Sequence, residues 1–207
     1  MKERNTDMVR LVANTFVSLD GFMVGDDEDM SWVIDTFDAE MGKEIGDGLD
    51  ETGAILLGRV TYEIMASYWP HAIPDGNYDV DNPAEGSEDP VITDHMNNLP
   101  KIVFSRTLQS PEWSNSRVVK DNIGDEIAML KAEPGKDLMI QGSASIVQQL
   151  TNLGLIDEYR LLVHPIVLGS GKPLFSDIKD RASLELVDAK TYKNGVVGLR
   201  YRRSQSG

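Results

Sequence analysis

The distribution of apolar residues along the chain predicts an alternation of strands and helices. Short apolar, β-branched runs are typical of buried strands, and apolar residues spaced three or four apart are typical of helices packed on one face. Strands are predicted at 9–17, 54–57, 101–105, 117–120, 137–141 and 158–163. Helices are predicted at 35–49, 61–68, 123–132 and 143–153. This alternation predicts an α/β fold with a mostly parallel central sheet.

The last part of the chain has a different pattern. Residues 183–191 and 196–201 read as strands on either side of Lys193-Asn194-Gly195, and Asn-Gly is a strong hairpin signal. We therefore expect an antiparallel C-terminal hairpin beside the parallel strands. Residues 70–90 are rich in Asp, Gly, Asn and Pro and predict a long excursion, followed by a short helix at 94–99. We expect residues 1–207 to form a single domain.

The net charge of the chain limits the classes of molecule that it is expected to bind. The chain carries a formal net charge of −14 with a pI near 4.5, whereas nonspecific nucleic-acid binding depends on clustered Lys and Arg. Nucleic acid is therefore not expected as a partner. The sequence has no apolar run long enough to span a membrane, and its start lacks the apolar core of a secretory signal. We expect a cytoplasmic protein without a membrane partner.

Cysteine is absent and histidine is scarce. The lack of Cys excludes disulfides, thiolate nucleophiles and Cys-ligated zinc, and the three His residues are scattered along the chain. No metal-ligand spacing results, so no metal is expected. An anionic organic cofactor remains compatible with the charge, because helix N-termini and single arginines attract phosphate locally.

Two turns join an apolar strand to a helix through glycine. LLGRVTYE places Gly58, Arg59 and Thr61 where a strand ends and a helix begins, and IQGSASIVQQL repeats the arrangement. In the second turn the candidates are Gly142, Ser143, Ala144, Ser145 and Ile146. Glycine allows close approach of a ligand, and free N–H groups of a first helical turn attract phosphate. Ordinary turn formation and helix capping explain either motif equally well in isolation.

A third turn follows the strand in VFSRTL. Ser105 and Arg106 stand at this strand end, a position suited to a phosphate monoester. In open α/β sheets, ligands bind at the carboxyl ends of the strands, where all three turns are predicted to lie. Their joint occurrence favours a shared site over three unrelated turns.

The three motifs, with the segment that ends in HPIVLGSGKPLF, resemble the dihydrofolate-reductase-like superfamily. The closer similarity is to the branch containing the C-terminal reductase domain of the riboflavin-biosynthesis protein RibD and its stand-alone relatives. That branch has Ser-Leu-Asp-Gly after its first strand, found here at residues 18–21, and lacks the GxGxxG fingerprint, as this chain does. The resemblance implies the three-layer α/β/α fold of dihydrofolate reductase.

The resemblance also implies a cofactor, NADPH, and a role for each motif. Gly58, Arg59 and Thr61 would hold its phosphates, Ser105 and Arg106 its 2′-phosphate, and residues 142–146 its pyrophosphate. Ala13, Asp20 and Gly21 would line the nicotinamide and substrate pocket, and the segment containing Gly169 and Gly171 would close its wall. Trp32 is a further candidate for contact with the substrate. Members of the branch commonly form homodimers, so a homodimer is expected.

The proton donor has two candidates. Reduction of an imine-like bond needs a proton on nitrogen, and dihydrofolate reductases use an Asp three residues before a Trp, as Asp29 stands before Trp32. Asp29 also belongs to an acidic run at 26–29, which is typical of a solvated loop or helix start. Asp20 is the alternative, unless it only shapes the Asp-Gly turn.

Three functions follow from these observations. The first is an NADPH-dependent reductase of a small heterocycle, of the 5-amino-6-(5-phosphoribosylamino)uracil reductase type in riboflavin biosynthesis. The second is a dihydrofolate or pterin reductase, which Asp29 and Trp32 favour and the Ser-Leu-Asp-Gly loop disfavours. The third is a nucleotide-binding dimer without catalytic turnover.

Overall fold

A computed structural model of the protein describes residues 8–77, 79 and 87–204. The twelve strands found there are β1 (Leu11–Ser18), β2 (Phe22–Val24), β3 (Thr52–Gly58), β4 (Ile73–Pro74), β5 (Ser87–Glu88), β6 (Lys101–Phe104), β7 (Ser116–Val119), β8 (Asp137–Gln141), β9 (Glu158–His164), β10 (Lys172–Pro173), β11 (Leu184–Thr191) and β12 (Val197–Arg203). The α-helices of the same residues are α1 (Ser31–Ile34), α2 (Ala39–Asp50), α3 (Arg59–Tyr68), α4 (Pro90–Asn98), α5 (Ile123–Ala132) and α6 (Ala144–Asn152). None of these helices is long and apolar enough to cross a membrane.

The main sheet has eight strands in the order β11-β12-β9-β1-β8-β3-β6-β7. The strands from β9 to β7 in this order are mutually parallel, while β12 runs antiparallel to both β9 and β11. The predicted α/β class, mostly parallel sheet and C-terminal hairpin are therefore confirmed. Because the central strands are parallel, the turns that follow β1, β3, β6, β8 and β9 leave the same edge of the sheet.

Apolar side chains cover both faces of the sheet. On β3, Leu56 belongs to the cluster packed beneath α5 and α6, whereas Ile55 and Leu57 belong to the cluster beneath α3 and α4. All three side chains have no exposed surface. The continuous apolar run 54–57 thus reflects a strand buried between two helical layers, as the sequence predicted.

Two predicted helices have different starting points in the structure. The predicted helix 35–49 begins later, at Ala39, because the carboxylate of Asp38 accepts a hydrogen bond from the Met41 N–H at 2.9 Å and caps α2. The predicted helix 94–99 begins earlier, at Pro90, where Asp89 caps the N–H groups of Val91 and Ile92. In both cases an Asp cap sets the boundary that apolar spacing alone misplaced.

The predicted excursion at 70–90 contains a short parallel pairing of β4 with β5. A single turn of 3₁₀ helix at Trp69–His71 precedes it. Residues 78 and 80–86 of this excursion lie outside the described part of the chain.

Candidate cofactor and substrate site

The turns after β3 and β8 are joined by hydrogen bonds. The Gly58 N–H donates to Ser143 Oγ at 2.7 Å, and Ser143 Oγ donates to Thr61 Oγ1 at 2.8 Å. Ser143 itself is buried and adopts left-handed backbone angles before α6. The structure therefore brings together two of the three predicted cofactor turns, and their hydroxyl groups hold the turns in place.

Small residues keep this junction closely packed. A Cβ added to Gly58 would lie 3.2 Å from Ser143 Oγ and 3.4 Å from Ile146, and one added to Gly142 would lie 3.4 Å from Thr61. Gly142 also has a φ of +61°, which side chains disfavour. Ser143 and Ala144 are buried at the start of α6, and Ser145 in its first turn is exposed. The Ile146 N–H donates to the Ser143 carbonyl, whereas the N–H groups of Ala144 and Ser145 precede the first intrahelical acceptor and can bind an anion.

The third turn lies beside these two because β6 is the neighbour of β3 in the sheet. Ser105 Oγ accepts hydrogen bonds from the N–H groups of Leu108 at 2.9 Å and Thr107 at 3.2 Å, so this hydroxyl stabilises the turn. Arg106 is 82% exposed at its side chain and donates from Nε to Asp121 at 3.1 Å. Such an exposed ion pair contributes little free energy, so the guanidinium can exchange Asp121 for a phosphate.

Arg59 occupies a similar position on α3. Its Nη1 lies 2.7 Å from Glu63 Oε2 one turn along the helix, and both side chains are nearly half exposed. The guanidinium is therefore present at the junction but directed along α3 in this conformation. Binding a phosphate would require it to leave Glu63, at a small cost for an exposed pair.

The Asp20 turn and the loop at 168–171 are connected directly. Asp20 accepts hydrogen bonds from the Ser18 hydroxyl at 2.6 Å, the Gly169 N–H at 2.7 Å and the Leu168 N–H at 3.2 Å. A Cβ at Gly171 would lie 2.1 Å from the Val24 carbonyl oxygen, so no larger residue fits there. The predicted substrate residues Asp20, Gly21, Gly169 and Gly171 thus lie in two adjacent, interlocked loops.

The two candidate proton donors are both held as carboxylates. The Ser18 hydroxyl and then the Gly169 N–H lower the pKa of Asp20, and the Ser31 N–H lowers the pKa of Asp29. Asp29 is exposed and begins α1, its Oδ1 lying 3.0 Å from the Ser31 nitrogen. A general acid must hold its proton near neutral pH, so these contacts favour structural roles for both residues.

Two further predicted pocket residues are buried. Ala13 is 1% exposed and packs in the apolar cluster beneath α5 and α6, and Trp32 is 4% exposed with its ring 5.0 Å from that of His164. Contact of either residue with a substrate requires movement of α1 or of the surrounding loops. In the structure both contribute to packing.

His164, at the carboxyl end of β9, is a polar residue buried next to this region. Its Nδ1 lies 2.6 Å from Thr36 Oγ1, and its ring stands edge-on to those of Phe16 and Trp32. Its Nε2 is buried and has no hydrogen-bond partner among the described residues. Burial lowers the pKa of His164 to about 4, so the ring is neutral at physiological pH.

With this geometry established, comparisons with known proteins assign the family. The family model described as the RibD C-terminal domain matches residues 9–198. The chain belongs to the RibD C-terminal domain family. It is similar to the uncharacterized protein YyaP of Bacillus subtilis (strain 168), with 37% identity over 197 residues that cover 95% of this chain and 96% of YyaP.

Solved structures show the fold of this RibD C-terminal domain. A pyrimidine reductase-like protein from Corynebacterium diphtheriae matches with a TM-score of 0.63 and 18% identity, covering 96% of this chain and 93% of that one. Dihydrofolate reductase from Enterococcus faecalis, complexed with NADP(H), matches with a TM-score of 0.58 and 13% identity over 96% and 99% of the two chains. The dihydrofolate-reductase-like fold is therefore confirmed.

In this RibD C-terminal domain the sequence motifs placed His164 only within the segment HPIVLGSGKPLF, which would close the pocket wall, and gave it no role of its own. A polar residue that ends an apolar strand just before Pro165 was a usable signal. The hydrogen bonds by which Ser143, Thr61 and Asp20 connect different turns could not be predicted from the sequence. These bonds depend on which turns lie next to each other at the carboxyl edge of the sheet.

Proposed function

We propose that this protein is an NADPH-dependent reductase of a small, planar heterocyclic substrate. The observation that carries the proposal is the junction of the turns after β3 and β8 through Ser143, beside the exposed Arg106 after β6. Open α/β sheets bind ligands at this edge. Membership of the RibD C-terminal domain family supports a reductase of the riboflavin-pathway type.

The residues at this edge fit an extended dinucleotide. The N–H groups of Ala144 and Ser145 would bind the pyrophosphate, and the guanidinium of Arg106 would bind the 2′-phosphate. Thr61 Oγ1 accepts from Ser143, which leaves the Thr61 hydroxyl hydrogen free to donate to a phosphate oxygen. When bound, the cofactor supplies hydride to the substrate.

The substrate would lie beside the interlocked loops that contain Asp20 and Gly169. The ionised Asp20 holds these loops together, which fixes the shape of the pocket wall. We propose a pyrimidine, 5-amino-6-(5-phosphoribosylamino)uracil, in agreement with the family and with the pyrimidine reductase-like relative. A pterin has less support, because the exposed Asp29 is engaged by Ser31 instead of facing a closed pocket.

A titration with NADPH and NADH tests the cofactor assignment. NADPH carries the 2′-phosphate and NADH does not, so Arg106→Ala is expected to weaken NADPH binding about tenfold, or about 1.4 kcal/mol, and to leave NADH binding unchanged. Binding is measured by fluorescence titration of the native protein and the variant. Arg117→Ala is a matched control, since Arg117 is a partly exposed, ion-paired arginine on neighbouring β7.

Two outcomes would contradict the proposal. An unchanged preference for NADPH in Arg106→Ala would remove Arg106 from the 2′-phosphate site. Tight NADPH binding without oxidation by either the pyrimidine or dihydrofolate would instead support a nucleotide-binding protein without turnover. Steady-state absorbance assays with both substrates distinguish these cases.

We also propose that the protein forms a homodimer through β11. This edge strand exposes Leu184, Leu186 and Val187, which are 36%, 57% and 39% exposed. Its outer edge has unpaired backbone groups within the described sheet, and such an edge favours pairing with an identical strand. A second copy would cover the apolar side chains and pair this edge.

A further inference from the structure

A second group of charged residues lies on the sheet face, away from the candidate cofactor edge. Glu158 on β9 has no exposed surface, and four arginines surround it: Arg10, Arg160, Arg200 and Arg202. Strand register explains this convergence, because Arg202 lies opposite Glu158 and Arg200 lies opposite Arg160. We name these four arginines and Glu158 the arginine cluster.

Glu158 alone does not balance the positive charge of the arginine cluster. Burial alone would raise the pKa of Glu158, but the hydrogen bond from Arg160 and the charges of Arg200 and Arg10 lower it, so the carboxylate is ionised. Asp137 pairs with Arg10. The charges of Glu51 and Glu44 also act on Arg10 and Arg160. Arg200 and Arg202, by contrast, share only Glu158 within the described part of the chain.

Other acids close to Arg200 and Arg202 form no ion pair with these two arginines among the described residues. Glu185 and Asp188 on β11 lie opposite Arg202 and Arg200 in register, but neither forms an ion pair with them among the described residues. Glu44 on α2 is engaged by Lys190 and by the Tyr192 hydroxyl, each at 2.7 Å. Arg160 and Arg200 lie directly opposite each other on neighbouring strands, and Glu158 Oε1 is the acidic atom that contacts both.

The arginines have unused donors. Arg160, Arg200 and Arg202 contact Glu158 through Nε, at 2.8, 3.2 and 3.2 Å, so none of these contacts uses their terminal nitrogens. Arg200 Nε is buried and, despite this ion pair, donates no hydrogen bond to any described residue. The terminal nitrogens of these arginines are therefore the donors that remain for an anion.

The arginine cluster opens into a cavity of about 1610 Å³. Its lining includes the four arginines on the sheet side and the acidic residues Glu44, Asp47 and Asp50 on the α2 side. α2 forms part of its wall, and Gly48 of that helix approaches the Arg160 Nη1 closely. None of the predicted cofactor residues at 58–61, 105–106 or 142–146 lines it. The cavity is therefore a location separate from the proposed NADPH site.

We propose that the arginine cluster is a binding site for a compact phosphate-bearing anion, with inorganic pyrophosphate as its simplest form. Guanidiniums match phosphate oxygens through paired N–H groups, and Arg160, Arg200 and Arg202 converge from β9 and β12 so that several oxygens of one anion can be bound together. Glu158 holds the arginines in place through their Nε atoms and leaves the outer nitrogens for the ligand. The site binds its anion independently of the reductase activity proposed above.

Isothermal titration calorimetry with inorganic pyrophosphate at low ionic strength tests this site in the full chain. Arg200→Gln/Arg202→Gln is expected to weaken pyrophosphate binding at least about tenfold, because it removes two of the guanidiniums. The same variant is expected to bind NADPH as the native protein does. Arg106→Gln is the matched control and is expected to retain pyrophosphate binding at the arginine cluster.

A second variant distinguishes a loss of pyrophosphate binding from a loss of folding. Arg200→Lys/Arg202→Lys keeps both charges near Glu158 but removes the forked donors, so it is expected to fold and to bind pyrophosphate about threefold more weakly. Native affinity in both double variants would overturn the proposal. So would loss of all pyrophosphate binding in Arg106→Gln, since the anion would then occupy the cofactor edge.

Sedimentation analysis distinguishes a free anion from a protein partner. If the native protein does not bind pyrophosphate and the double Gln variant changes the state of association, the arginine cluster is instead an interface with a second copy of the chain. That result would also overturn the anion site. Retained association together with weakened pyrophosphate binding is the expected outcome.

Discussion

The protonation state of one buried side chain, His164, is expected to make the stability of the fold depend on pH. Its Nδ1 contacts Thr36 Oγ1, which also lies 3.0 Å from the Trp32 carbonyl oxygen. If the Thr36 hydroxyl donates to that carbonyl, Nδ1 of His164 carries the proton and Nε2 is a bare acceptor. The neutral ring is then the form that the packing of Phe16, Trp32 and Thr36 accommodates.

Acid is therefore expected to destabilise the protein through His164. The pKa is about 4 in the folded state against 6.5 for the free side chain, so between these values the unfolded chain binds the additional proton and stability falls as pH falls. Between pH 7 and pH 5 the protonation of His164 lowers the free energy of unfolding by about 2 kcal/mol. Urea unfolding at both pH values should show a loss smaller by that amount in His164→Gln. Equal losses in variant and native protein would refute this account.

At the scale of elements, two similar carboxylates have different structural tasks. Asp20 connects the turn between β1 and β2 with the loop before β10, whereas Asp29 only begins the four-residue α1. The first contact is long-range and the second is local. Their substitution should therefore have separable consequences.

Asp20→Asn is expected to raise KM for the substrate about tenfold, because a neutral amide cannot accept from Ser18, Leu168 and Gly169 as the carboxylate does. Asp29→Asn, the matched control, retains an oxygen that can cap the Ser31 N–H and should change kcat less than about threefold. Steady-state kinetics at fixed NADPH measures both. A loss of kcat in Asp29→Asn by orders of magnitude would restore Asp29 as the proton donor.

The eight-stranded sheet differs in burial between its centre and its β11 end. β1 and β8 are mostly buried and β9 is partly buried, whereas β11 is exposed along nearly its whole length. An exposed apolar edge strand favours association, so the oligomeric state is a property of this end of the sheet.

Leu186→Lys is expected to convert a dimer into a monomer, because the charge would be buried at the contact between two β11 strands. Light scattering after size-exclusion chromatography measures the mass directly. Met129→Lys is a matched control, as Met129 is similarly exposed, at 60%, but lies on α5. A native protein that is already monomeric at micromolar concentration would contradict the dimer proposal.

The sequence by itself determined the order and type of the main elements. Apolar runs such as 137–141 and the helical spacing at 123–132 match β8 and α5 at both ends, because burial on a sheet or on one helical face dictates the residue pattern locally. The two glycine turns were likewise recognisable, since strand, glycine and helix follow one another in the chain. The capping residues Asp38 and Asp89 are also visible in the sequence, but the helix boundaries were predicted from apolar spacing, which does not take caps into account.

Only the tertiary structure decided which polar groups meet. Lys101 begins the strand predicted at 101–105, and the structure buries it fully, with its Nζ donating to the carbonyl oxygens of Asn97, Leu99 and Ser114 at 2.8–3.1 Å. Glu158 and Arg10 are likewise distant in sequence and adjacent in space. Strand order and register set these contacts, and no local pattern encodes them, because pairing across the sheet depends on the packing of the whole chain.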